Sequence, residues 1–379
     1  MCERITLLFG DIKMEKNATG TKDKEREVLP DIIKGFTIIL VVFAHCIQEG
    51  SGAEFRDKAM YFNDKCYQLI YSFHMPLFML ISGYLSRYSF DRVKTAKDRM
   101  NLLKKRSVNL LLPVFLWTAI DYGRILLTNY LNGNSQPEAI IFVYFYTAFQ
   151  NLWFLWAVFW GFLVVYFVHF KVKNPVIIYG ILFLLMFITP DGMGLGAYKY
   201  MLPYFMAGFY LNTNKIKSIN FKSHLYVMMT IFLGILFVFL FQFFDSDTLI
   251  YLSGYKLIGK EISKQILLDG FRMVIGFIGS FMVISIFKIL VDTYNEKKCK
   301  LFTIVSDMFI YLGKKSMGIY ILSGYVLVFV IQKISQINEQ NYFYNFVETI
   351  FVVAVSAIIT TILEKMPFFC KLVGSARKK

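Results

Sequence analysis

Apolar stretches of about twenty residues recur from one end of the chain to the other, each long enough to cross a bilayer as a helix. Ten such spans are predicted, at 31–50, 67–87, 107–128, 151–170, 175–190, 198–212, 223–244, 266–290, 316–334 and 344–366. A further apolar stretch, Ala139–Phe149, is too short to cross and reads as a re-entrant or interfacial segment. The expected fold is therefore all-α, a polytopic transmembrane helix bundle. Its transmembrane domain occupies 31–366, between an N-terminal tail over 1–30 and a C-terminal tail over 367–379.

The polar positions between the spans set an orientation. Basic residues crowd the tail (Lys13, Lys16, Lys22, Lys24, Arg26), the second loop (Arg87, Arg92, Lys94, Lys97, Arg99, Lys104, Lys105, Arg106) and the later even-numbered loops. Odd-numbered loops mix signs, as in Glu54, Arg56, Asp57 and Lys58. By the positive-inside rule this alternation predicts cytoplasmic termini and an outward-facing loop over Gly50–Cys66, in a multi-pass protein of the plasma membrane. About thirty polar residues precede the first span, a poor match to a cleavable signal peptide, and Met14 is an alternative start.

Composition agrees: 56% of the residues are hydrophobic and 18% aromatic, leaving too little charge for a soluble domain of this length. The net charge of +15 suggests nucleic acid as a partner, but most Lys and Arg lie in short loops between spans, so the charge is topological. No nucleic-acid partner is expected; membrane lipids are. The five cysteines, Cys2, Cys46, Cys66, Cys299 and Cys370, show neither CxxC pairing nor metal-ligand spacing. No metal and no permanently bound cofactor is expected.

The candidate chemistry lies in the first two spans. Lys34 and His45 are eleven residues apart, close to three helical turns, so they share a face about 16 Å apart along the axis. Glu49 follows His45 by one turn. A cation at the mouth, an imidazole within the membrane and a carboxylate beyond it form one stripe, and ionisable groups inside a span ordinarily face a polar cavity. The second span opens Phe73-His74-Met75-Pro76 and runs the other way, which puts His74 at a depth comparable to His45. Taken singly these features have plainer readings: Lys34 as a snorkelling interface residue, His45 as a satisfied core group, Pro76 and Gly83 as a kink and a helix contact.

Together they resemble acyltransferase family 3 of integral membrane proteins. Lys34 and His45 match its basic residue, ten residues, then His. The stretch Phe73-His74-Met75-Pro76-Leu77-Phe78 with Ile81-Ser82-Gly83-Tyr84 is similar to its His-x-Pro…Ser-Gly-Tyr segment. Lys104-Lys105-Arg106 resembles its basic run, Leu152-Trp153-Phe154-Leu155 its Trp-Phe-Leu element, and Gly313-Lys-Lys-Ser316-Met-Gly-Ile-Tyr320 its late Gly-Lys-x-Ser…Tyr segment. The resemblance runs from about residue 26 to 366. Two positions depart from it: Asn109 stands where a second Arg is frequent, and Ser323 where a late His is common. The first weakens a paired-Arg donor site, and the second removes whatever the late His does elsewhere.

The resemblance implies acyl-CoA, usually acetyl-CoA, as a donor substrate entering from the cytoplasm. The acceptor it implies is a hydroxyl of an extracytoplasmic or cell-surface glycan, or of a lipid-linked sugar. On that reading Lys34 and Arg106 bind CoA phosphates, His45 is the general base, and Glu49 holds its tautomer. His74 and Trp153 stabilise the oxyanion or position the sugar, with Ser82, Tyr84 and Ser316 as further substrate-binding candidates. Two alternatives compete. A transporter of a polar solute calls for matching halves, and none stand out. A membrane glycosyltransferase using lipid-linked sugar calls for acidic residues in the first outer loop, where Glu54, Asp57 and Asp64 stand, but leaves the Lys34–His45 stripe without a role.

Overall fold

The computed structural model describes residues 27–134, 140–172, 175–189, 191–212, 223–255, 261–297, 300–332 and 340–375. Most of the predicted N-terminal tail and residues 376–379 lie outside these. The described chain is helical, with no strand among the described residues. Its main helices are α1 (Leu29–Gly50), α2 (Lys65–Tyr71), α3 (His74–Phe90), α4 (Ala96–Leu131), α5 (Ile140–Gln150) and α6 (Trp153–Lys171). They continue as α7 (Pro175–Ile188), α8 (Leu195–Leu211), α9 (Ser223–Phe241), α10 (Ile262–Lys297), α11 (Lys300–Val326) and α12 (Tyr342–Lys365).

Eight helical stretches are long and apolar enough to cross a membrane, with α2 and α3 together forming one of them. The other two predicted spans are shorter as helices: α7 has 14 residues and α8 has 17. A helix rises 1.5 Å per residue, so these reach roughly 21 and 25 Å, short of a bilayer core of ~30 Å. Helix α8 is nevertheless central, with Tyr204, Phe205 and Phe209 wholly buried. The short apolar segment forms α5, 11 residues long and tied to the bundle by Tyr144 Oη to the Phe115 carbonyl (2.9 Å) and Trp156 Nε1 to the Ala148 carbonyl (2.8 Å).

Two close helix crossings frame the interior. Helix α1 packs most extensively on α11, and α3 on α8. A Cβ on Gly35 would meet the Phe309 backbone, and one on Gly313 the Asp31 backbone. Gly83 on α3 and Gly208 on α8 face the Phe205 and Leu80 backbones in the same way. Lipid tails are as apolar as leucine, so van der Waals contact between backbones holds membrane helices together, and glycine permits it. Two glycines of the resemblance motifs, Gly83 and Gly313, thus act in packing.

Local sequence sets the breaks. Thr95 and Asp98 form a capping box that starts the 36-residue α4, with Asp98 N–H to Thr95 Oγ1 at 3.1 Å and Thr95 N–H to Asp98 Oδ2 at 3.0 Å. Pro76 lacks an N–H and fits best in a first turn, and the second span breaks at Ser72–Phe73 and restarts at His74. Helix α11 loosens into a π-helical turn over Leu327–Ile331, just before Gln332.

Candidate active site

The break before His74 orients its ring. The Ile70 carbonyl accepts the Phe73 N–H at 3.3 Å and lies 2.7 Å from His74 Nδ1. A carbonyl oxygen only accepts, so the neutral imidazole carries its proton on Nδ1 and leaves Nε2 as a hydrogen-bond acceptor. Only 2% of His74 is exposed. Helix α1 brings His45, partly buried, close enough to act on His74 electrostatically, with the Gln48 side chain in hydrogen-bonding reach of His45. Two helices of opposite direction thus bring the two predicted histidines together.

Aromatic side chains form a chamber beside His74. Tyr71 meets His74 edge-on with ring centroids 4.7 Å apart, and Tyr251 meets Tyr71 at 5.7 Å. Tyr251, in a short helical turn at Ile250–Ser253, also faces Trp153 at 6.2 Å. Trp153 is aimed by Leu152, which adopts the left-handed conformation (φ 49°, ψ 41°) just ahead of α6. That conformation is strained for a bulky residue by roughly 1–2 kcal/mol. Tyr320 on α11 meets Phe154 at 5.8 Å and accepts the Phe154 N–H at 3.4 Å. Residues from α1, α2, α3, α6, α11 and the Ile250–Ser253 turn therefore converge.

The remaining predicted residues divide between this chamber and other places. Glu49 lies one turn beyond His45, and its carboxylate accepts a 2.5 Å hydrogen bond from Gln332 Nε2, past the π-helical turn. Lys34 pairs with Asp31 at 2.9 Å near the opposite end of α1. Arg106 donates to Ser89 Oγ (3.1 Å) at the end of α3 farther from His74. Tyr84 Oη donates to Glu27 at 2.5 Å, again ahead of α1. Ser82 Oγ turns back to the Phe78 carbonyl (2.8 Å) and buried Ser316 Oγ to the Gly313 carbonyl (2.9 Å). At 1.5 Å per residue Ser82 and Tyr84 lie roughly 12 and 15 Å along α3 from His74. Ser82, Tyr84 and Ser316 thus hold helix ends and backbone, and the chamber takes His45, His74 and Trp153.

Sequence reasoning missed Tyr71, Tyr251 and a buried polar group behind them. Arg272 on α10 is 1% exposed and pairs with Asp269 at 2.9 Å. Lys199 on α8 pairs with Asp191 at 2.6 Å. It also donates to the Thr189 and Tyr255 carbonyls at 2.8 and 2.7 Å. Asp269-x-x-Arg272 at helical spacing inside an apolar span was a usable signal for the first pair. The second pair joins residues brought together only by the chain turning back at Asp191.

A polytopic helical bundle with paired histidines held inside it defines a class of membrane protein built for intramembrane chemistry. The family model for an acyltransferase domain matches residues 29–365, and the chain belongs to acyltransferase family 3. It is similar to nodulation protein NolL of Sinorhizobium fredii, 30% identical over 200 residues, which covers 52% of this chain and 51% of that protein. The NolL of Mesorhizobium japonicum is 31% identical over 152 residues, 37% of this chain and 35% of that one. The matched part thus spans about half or less of these curated relatives. No solved structure matches.

Proposed function

We propose that this protein is a membrane O-acyltransferase that moves an acyl group, acetyl in the simplest case, from cytoplasmic acyl-CoA to a hydroxyl of an extracytoplasmic glycan or lipid-linked sugar. The observation that carries it is the approach of His45, on a helix whose far end bears Lys34, to buried His74, which Tyr71 meets edge-on. Lys34 and Arg106 bind the CoA phosphates, Lys34 exchanging its Asp31 partner for phosphate. The pantetheine arm runs along α1 and presents its thioester near His45.

His45 takes the proton from the acceptor hydroxyl as its oxygen attacks the thioester carbonyl. When the tetrahedral intermediate collapses, the C–S bond breaks and the imidazolium returns that proton to the departing thiolate, giving an ester and free CoA. With Nδ1–H committed to Ile70, neutral His74 offers only the Nε2 lone pair; it receives the acceptor's hydrogen bond and positions the sugar. A neutral His74 offers an oxyanion no donor through Nε2, so that task falls to Trp153, whose indole N–H only donates. Glu49 acts on the site through its bond to Gln332 and the field it places on Tyr71.

The acidic residues that a glycosyltransferase reading needs stand in local pairs and a helix cap. Glu54 pairs with Lys58 (2.6 Å), Asp57 with Arg56 (2.9 Å), and Asp64 accepts the Tyr67 N–H at 2.8 Å as a helix cap. The test is direct. Purified protein supplied with acetyl-CoA and glycan should release thiol and form a glycan ester, and a deletion strain should lack that ester by mass spectrometry. Solute movement without thiol release would replace this reading with transport.

A further inference from the structure

Behind Tyr71 and Tyr251 lies a small cavity of about 20 Å³, room for one water-sized group. Arg272 is one of the residues that line it. Arg272 Nη2 is engaged twice, by Ser253 Oγ at 2.7 Å and by Asp269 at 2.9 Å. Nε and Nη1 are buried and have no hydrogen-bond partner among the described residues. Buried donors without partners are costly, and Arg presents its donors in a rigid fork suited to oxygen ligands. The contrast with Lys199 is instructive, because that ammonium donates to the Thr189 and Tyr255 carbonyls and forms an ion pair with Asp191.

Charge decides what oxygen the fork is built for. Asp269, itself 2% exposed, balances Arg272, and Asp191 balances Lys199, so the neighbourhood is close to neutral. A full anion would find no excess positive charge there, and a cavity of one water's size admits a single hydroxyl. Cavity and His74 share a wall: Tyr71 lines the first and meets the His74 ring at 4.7 Å.

We propose that Arg272 is an acceptor-binding residue, donating one of its open N–H groups to an uncharged sugar hydroxyl while a neighbouring hydroxyl of the same glycan reaches the histidines. The inference rests on the acyl-transfer reading and adds the acceptor's class, a neutral glycan, and the residue that selects it.

The test uses the purified full chain, acetyl-CoA, and the host's surface glycan, base-deacetylated and split by anion exchange into neutral and acidic fractions. Arg272→Lys keeps the charge opposite Asp269 and removes the fork. It should raise KM for the neutral fraction about tenfold, with the acetyl-CoA KM and the melting temperature little changed. Ile250→Phe, which fills the cavity and leaves both charges of the Arg272–Asp269 pair in the chain, should raise the same KM and stands in if Arg272→Lys fails to fold. The neutral-fraction KM should also be insensitive to salt. An unchanged acceptor KM in both variants, or transfer to the acidic fraction alone, would overturn Arg272's role while leaving acyl transfer intact. If the wild-type protein acylates neither fraction, the acyl-transfer reading fails and this inference with it.

Discussion

Replacing the two histidines one at a time should separate chemistry from architecture. His45 is partly buried beside the Gln48 side chain, and His45→Ala is the variant that removes the base. Its cost should fall on rate: loss of a general base is worth ~10²–10⁴-fold, with protein level and CoA binding nearly intact. His74 is 2% exposed and its Nδ1–H satisfies the Ile70 carbonyl at the helix break. His74→Ala removes that bond, and a buried polar group losing its partner costs roughly 1–3 kcal/mol. The Phe73 N–H at 3.3 Å still reaches Ile70, which puts the loss near the lower bound. Two further variants split the ring's functions. His74→Asn places an amide N–H where Nδ1 was and should recover stability without restoring the Nε2 acceptor. His74→Gln places its amide near Nε2 and should recover part of the acceptor KM while remaining less stable. Thermal melting in detergent, CoA release and ester formation on the glycan give the three readouts. Substantial turnover in His45→Ala, or complete loss in a stably folded His74→Asn, would refute the assignment of His45 as base and His74 as positioning residue.

Further expectations follow from the same geometry. Lys34→Ala should raise the acyl-CoA KM by about 1–3 kcal/mol of binding, more than it lowers kcat, while Lys34→Arg retains activity; an unchanged KM in Lys34→Ala removes this residue from the donor site. On the proposed donor role Asp31, which pairs with Lys34, would compete with phosphate, so Asp31→Asn should lower the donor KM, and a rise would place Lys34 in a purely structural pair. Gly83→Val should collapse expression of folded protein, since its side chain would meet the Phe205 backbone; normal yield and melting would show the α3–α8 crossing to be looser than described. Single-cysteine probes in a Cys-free background should find the N-terminal tail shielded from an impermeant reagent in intact cells and Gly50–Cys66 reactive. Labelling of the tail would reverse the orientation.

What the sequence determined by itself was the class of protein and the stripe. Apolar runs of bilayer length and basic loops are local signals, because each span must satisfy its own backbone inside lipid. The Lys34–His45–Glu49 alignment was equally legible, since helical period alone puts residues eleven and four apart on one face. The meeting of His45 with His74 followed in outline from opposed spans at like depth. Tertiary structure decided the rest. Ser82, Tyr84 and Ser316 read as substrate-binding candidates from their motif, yet each hydroxyl is committed to backbone or to Glu27, because a helix interior offers serine its own preceding carbonyl. Glu49 turned to Gln332 because α11 ends beside it, an adjacency nearly three hundred residues removed in sequence. The short α8, unremarkable as an apolar run, became the centre of the bundle because Gly83 and Gly208 let two backbones touch. Arg272 with its two open donors acquires meaning only once Tyr71, Tyr251 and Asp269 surround it, for burial and unmet hydrogen bonds are properties of the packed chain.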